Sequence, residues 1–251
     1  RDRMEALAAV KLDAEAVTDA PDLSTRTRRP IVTGTSVLAV KYRDGVMMTA
    51  DTLASYGSLA RFKGVSRLRT VGKNVILGAS GDYSDFQHIM DTLDEMALKD
   101  KCLDDKRELT AKEVHAFMTR LLYKRRNKMD PLWNSLLIAG FKDGKPTLGT
   151  VDKIGTTYED DFLATGFGMH LAVPIMRSRW QPDMSEGEAR ALLEDCMRVL
   201  FYRDCRTVNS IQLAKITAEG PLISEPYPLA TRWTFESFVN PHAGSDTGGS
   251  W

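Results

Sequence analysis

The chain has 251 residues, 43% hydrophobic and 27% charged, enough apolar material for the core of one large domain or two small ones. Basic and acidic side chains number 34 each, so no net field draws the chain to nucleic acid or to an anionic membrane, and proteins or small molecules are the expected partners. Three cysteines, Cys102, Cys196 and Cys205, lack CxxC spacing and suit a reducing cytosolic or nuclear compartment. The apolar runs fall far short of the roughly 20 residues that a bilayer span needs.

Residues 1–30 read as an appendage. Met4, Leu7, Val10, Ala14 and Val17 keep a loosely helical spacing. Asp2, Glu5, Asp13, Glu15, Asp19 and Asp22 make the segment too acidic for an organelle transit peptide, and it lacks the apolar centre of a signal peptide. A propeptide and a disordered tail both fit.

From Thr35 onward the pattern turns regular. Ser36 to Arg43 reads as a strand, Asp44-Gly45 as a two-residue hairpin turn, and Val46 to Asp51 as the returning strand. Val75 to Ala79 is a further short strand. Ser84 to Gln87 has the form of a capping box and opens a helix whose stripe is Phe86, Ile89, Met90, Leu93 and Ala97. Thr110 to Glu113 repeats the device ahead of Val114, Phe117, Met118, Leu121 and Leu122. Strands return at Ser135 to Phe141 and Thr147 to Val151, around an Asp143-Gly144 turn. A third capping box at Ser185 to Glu188 introduces Ala189, Leu192, Leu193, Cys196, Met197 and Leu200, and Ser210 to Thr217 is the closing strand.

Strands, a helix pair, strands, helices and a last strand, with Asp-Gly turns inside the strand groups, imply antiparallel sheets rather than alternating parallel units. Each helix has one apolar stripe and each sheet must cover two faces. The arrangement that buries all of them is an α+β, four-layer αββα sandwich with two sheets face to face. From Glu225 the chain changes again: Pro226, Pro228, Trp233, Phe235, Phe238 and Trp251 fall in a stretch with little helical pattern. Such aromatics either dock on a partner or pack back on their own domain.

Conventional catalytic motifs are absent: there is no HExxH, Walker loop or GxSxG elbow, and His88, His115, His170 and His242 have no ligand spacing. One constellation is more specific. Thr33-Gly34-Thr35, a strand hairpin, Ala50-Asp51, Tyr56-Gly57-Ser58 and Arg67 resemble the opening of the beta-type subunits of the proteasome core particle, a family of N-terminal nucleophile hydrolases. Further words in register carry the resemblance over roughly residues 27–240, among them Gly-Ala-Ser-Gly-Asp at 78–82, Ala-Thr-Gly-Phe-Gly at 164–168 and Met-Arg-Val-Leu-Phe-Tyr-Arg-Asp at 197–204.

The resemblance implies that Thr35 stands where active members carry the threonine whose freed α-amine helps take its own hydroxyl proton. Asp51 and Asp204 match the two family aspartates. The departures are Arg67 in the place of a lysine, Phe167 in the place of a serine, and Thr207 where a serine is usual. An arginine supplies charge but gives up no proton, so it cannot shuttle one. Read from the residues alone, Asp51 and Arg67 make a structural ion pair.

The words match a non-catalytic member, which implies processing at Thr27, a propeptide over residues 1–26, a beta-type domain over 27–225 and a C-terminal arm over 226–251. It further implies no cofactor and no metal, and other alpha and beta subunits as partners in a four-ring barrel with seven-membered rings. Assembly chaperones, and an opposing beta ring met through Trp233, Phe235 and Phe238, complete the expected partners, in cytoplasm and nucleus. Two other readings remain: an active threonine protease using Thr35, and a free-standing binding module.

Overall fold

The computed structural model describes residues 30–103 and 108–234, and the compact unit that holds all of these but Pro30 begins at Ile31. In chain order, the first group is β1 (Val32–Gly34), β2 (Val37–Tyr42), β3 (Gly45–Asp51), β4 (Leu53–Tyr56), β5 (Leu59–Lys63), β6 (Leu68–Val71) and β7 (Val75–Asp82). Helices α1 (Tyr83–Cys102) and α2 (Ala111–Asn127) follow, then β8 (Asn134–Lys142), β9 (Lys145–Val151), β10 (Thr157–Glu159) and β11 (Phe162–Ala164). The short helices α3 (Gly168–Leu171) and α4 (Val173–Arg179), the long α5 (Glu186–Arg203), β12 (Ile211–Thr217) and β13 (Gly220–Ile223) complete the described elements.

The strands form two sheets. The larger runs β10, β9, β8, β7, β1, β4, β5, with β6 also paired to β7, and the smaller runs β11, β2, β3, β12, β13. The pairings are antiparallel, as the Asp-Gly hairpins predicted. β2 shows how one strand serves two layers, because successive side chains point to opposite faces. Leu38, Val40 and Tyr42 pack in a cluster with Leu192, Leu193, Cys196, Met197 and Leu200 of α5, whereas Val37 and Ala39 pack between the sheets with Ile76, Leu137 and Ala139. On the far side, Leu77 and Leu136 meet Ile89 and Leu93 of α1 and Val114 and Met118 of α2. The three clusters are the interfaces of a four-layer αββα sandwich, the predicted fold class.

Local chemistry explains where these elements start. Thr110 and Ser185 are N-caps with both arms of the capping box closed, to Glu113 and Glu188. The first helix departs from expectation. Its cap is Asp82, whose Oδ1 accepts from the amides of Ser84 at 2.9 Å and Asp85 at 3.1 Å, so the helix begins at Tyr83, earlier than a cap at Ser84 would allow and directly off β7.

The two Asp-Gly pairs also part ways. Asp143 and Gly144 form a hairpin turn with both residues at positive φ, 51° and 73°, between the paired Lys142 and Lys145. In the first hairpin Tyr42 pairs with Gly45, so the turn is Arg43-Asp44 and Gly45 already belongs to β3, where a Cβ would lie 2.0 Å from the Ile216 carbonyl oxygen. Ile211–Thr217 is not the closing strand either, since β13 pairs beyond it.

Candidate functional site

Thr35 lies in the two-residue link by which the chain leaves the large sheet at β1 and enters the small sheet at β2. Asp51 ends β3, Arg67 immediately precedes β6, and Asp204 is the C-cap of α5. The fold brings these four together. Thr35 Oγ1 donates to Asp204 Oδ2 at 2.6 Å across 169 positions of sequence. Asp204 is itself held, with Oδ1 accepting from the Arg206 amide at 2.9 Å and its carbonyl accepting from Thr207 Oγ1 at 3.1 Å.

Arg67 is the centre of the arrangement, with 1% of its side chain exposed. All five of its N–H groups are used. Nε donates to the Asp51 carbonyl at 3.2 Å, Nη1 to the carbonyls of Thr35 at 2.8 Å and Ala79 at 3.2 Å, and Nη2 to the Ser36 carbonyl at 3.0 Å and to Asp51 Oδ1. The guanidinium therefore ties β3, β7 and the Thr35-Ser36 link to one point. The Asp51 side chain is fully buried; burial pushes its carboxyl above the usual range, against the opposing charge and hydrogen bond of Arg67. Its Oδ2 makes no hydrogen bond of ordinary geometry, while the backbone amides of Val208 and Leu53 favour the charged form of the carboxyl more weakly than Arg67 does.

Gly34 owes its identity to the same arginine, since a Cβ there would stand 2.3 Å from Arg67 Cδ and 2.9 Å from Nε. The strand that Gly34 ends is paired on both sides: Val32 and Thr33 face Tyr56 and Ser55 of β4, and Thr33 and Gly34 face Asp82 and Gly81 of β7. An extended segment thus fills the slot between β4 and β7 immediately ahead of Thr35.

Phe167 sits at the start of α3, 59% exposed, and makes no side-chain cap bond. Its neighbours are well held: the Gly168 amide donates to Ser36 Oγ at 2.8 Å and the Val37 amide to Thr165 Oγ1 at 2.9 Å. Ser36, Ala79 and Thr165 are the contributors that sequence reasoning missed. Ala79 and, toward Arg67, Ser36 act through backbone carbonyls, which carry no side-chain signal.

Away from this site, His115 Nε2 contacts the Thr150 carbonyl at 3.2 Å and Thr157 Oγ1 at 2.7 Å, a structural role between α2, β9 and β10. Among the described residues no group of His, Cys, Asp and Glu could hold a metal ion, and no helix is long and apolar enough to cross a membrane. Trp233 packs edge-on against Phe201 and Tyr202 of α5, with centroids 5.7 and 5.0 Å away, and remains 60% exposed. Thr27, Phe235, Phe238 and Trp251 lie outside the described residues.

Comparison with known proteins agrees with the fold. The family described as "Proteasome subunit" matches residues 31–216. Proteasome subunit beta type-4 of Arabidopsis thaliana is 52% identical over 232 residues, covering 92% of this chain and 94% of the relative. The protein of the same name in Dictyostelium discoideum is 47% identical, over 82% of this chain and 80% of its own, and that of Xenopus laevis 44% identical, over 85% and 89%. With matches of this length on a two-sheet αββα core, the chain belongs to the proteasome subunit family, as one of its beta-type members.

Proposed function

We propose that this chain is a non-catalytic beta-type subunit of the proteasome core particle, one that builds the barrel in which other subunits cut peptides. The observation that supports this reading best is the strand ahead of Thr35, paired with β4 and β7 on its two edges. A threonine joined to such a strand has an amide nitrogen, which cannot serve as a base, and its hydroxyl is a weak nucleophile without one. Arg67 supports the same reading, because it spends every donor on fixed acceptors and has no proton to exchange. Phe167 offers no polar group in the place of the family serine. On this reading Thr35, Asp51, Arg67, Asp204 and Thr207 persist as a structural knot.

The finer reading extends the resemblance to the beta-type family. Residues 1–26 are a propeptide removed at Thr27, residues 27–225 the beta-type domain, and residues 226–251 an arm. The subunit joins a seven-membered beta ring within a four-ring barrel in cytoplasm and nucleus, enters with the help of assembly chaperones, and steadies the pairing of two rings through Trp233, Phe235 and Phe238.

Mass spectrometry of the subunit in its native particle tests the central claim. A mature amino terminus at Thr27 and no adduct after treatment with an epoxyketone are expected. A chain that begins at Thr35 and carries the adduct there would establish an active threonine protease instead.

A further inference from the structure

Helix α2 ends in a cap that normally calls for glycine. The Asp130 amide donates to the Arg125 carbonyl at 3.1 Å and the Met129 amide to the Arg126 carbonyl at 3.0 Å, the two bonds of a Schellman motif, and Met129 takes its left-handed position at φ 56°. A side chain at such a φ costs stability. Met129 returns little of that to the core, because it is 72% exposed.

Around Met129 the charge is one-sided. Residues 120–130 and 152–154 carry six basic side chains against two acidic ones. Asp130 is paired with Arg125 at 2.9 Å, and Asp152 Oδ1 accepts from the amides of Ile154 at 2.9 Å and Thr156 at 2.8 Å. Arg120, Lys124, Arg126, Lys128 and Lys153 are exposed and form no ion pair with a described residue. The turn at 153–155 lies against α2, where a Cβ on Gly155 would stand 2.8 Å from Tyr123 Cβ. Two of the cations rest on rings, Lys153 Nζ 4.2 Å from the centre of Trp133 and Arg126 Cζ 5.7 Å from that of the half-exposed Tyr123. Cations in a last helical turn answer the negative end of the dipole, but that role explains neither Lys153 nor the exposed Met129 and Ile154.

The place of this surface points to its partner. Trp133 precedes Asn134, which pairs with Gly81, and Gly81 pairs with Gly34, the residue before Thr35. Two steps of about 4.8 Å across the sheet separate them. In a barrel that cuts peptides inside, the end of the sandwich that carries the nucleophile position faces the chamber, and this surface lies at that end. We propose that the end of α2, with Trp133 and Lys153, is a holding site for acidic stretches of the extended polypeptide being degraded. The cations meet its Asp and Glu side chains, and Tyr123, Met129 and Ile154 meet apolar residues between them. With 34 basic and 34 acidic side chains overall, the chain has no wider field for a nucleic acid, so a short local run of carboxylates is the better fit. This inference rests on reading the chain as a barrel subunit, and adds to that reading a direct contact with substrate.

The test uses core particles that contain the variant chain and keep their other subunits unaltered. The combined change Lys124→Gln, Arg126→Gln, Lys128→Gln and Lys153→Gln is expected to raise KM about tenfold for an unstructured polypeptide rich in Asp and Glu. Its kcat, the KM of the same polypeptide with Asn and Gln in place of the acids, and the hydrolysis of a tripeptide held at the cutting sites alone should not change. With the unaltered chain, the KM of the acidic polypeptide should rise with salt. Met129→Gly is expected to raise KM for both polypeptides about threefold, through lost apolar contact, and to slow hydrogen exchange at the Asp130 amide, because glycine takes the left-handed position without strain. Equal KM values for the acidic polypeptide in both kinds of particle would overturn the holding site and leave the barrel reading intact. Failure of the fourfold variant to enter core particles would overturn it too, by making the surface a contact between subunits. Absence of the unaltered chain from core particles would sink the barrel reading itself, and the holding site with it.

Discussion

Arg67 decides more of this protein than its exposure of 2% suggests. A buried ion pair adds little net stability over an apolar pair of the same shape, but breaking it leaves an uncompensated buried charge. Asp51→Leu and Arg67→Met alone are each expected to cost about 3–5 kcal/mol in chemical unfolding of the refolded chain, and the double variant less than either. A double variant as damaged as the sum would show that the backbone bonds of Arg67, rather than the pair, hold the knot. The pairing itself was legible from the sequence, through two charged residues sixteen positions apart in a family pattern. The cage of carbonyls from Thr35, Ser36, Asp51 and Ala79 was not, because every residue type has the same carbonyl. Nor was the demand on Gly34, which arises only where the Arg67 stem crosses it.

Elements with strong local signals were read well, and those that depend on neighbours were not. The capping boxes at Thr110 and Ser185 and the apolar stripes behind them are properties of short stretches of chain. α1 shows the limit: Ser84 has the right chemistry for a cap, but β7 delivers the chain at an angle that lets Asp82 bond the first free amides. Asp82→Ala is therefore expected to lower stability by about 1 kcal/mol and Ser84→Ala to change it by less than half of that, in thermal unfolding followed by helix signal. The reverse order would restore Ser84 as the cap. β1, β4, β5, β6 and β10 escaped sequence reading because they are three to five residues long, and β5 and β10 are exposed throughout. Such strands have no core-facing alternation to detect and exist because a ladder partner is already in place.

At the scale of the whole molecule, membership in the family predicts that the chain works inside an assembly. Extracts resolved by size-exclusion chromatography should show it migrating with a complex many times its own 28.0 kDa, and a stable monomer as the main form would contradict that expectation. The sequence by itself determined the layer order, since helices with one apolar stripe and strands apolar on both faces can be satisfied together only with two sheets inside and helices outside. It also determined the family, through words that run along most of the chain. Only the tertiary structure decided what surrounds Thr35, because the atoms that hold it come from Asp204 at the end of α5 and Arg67 just ahead of β6, and Arg67 is itself fixed by β3 and β7. A hydroxyl's surroundings are a matter of distance in space, and distances between residues 169 positions apart have no imprint on local pattern.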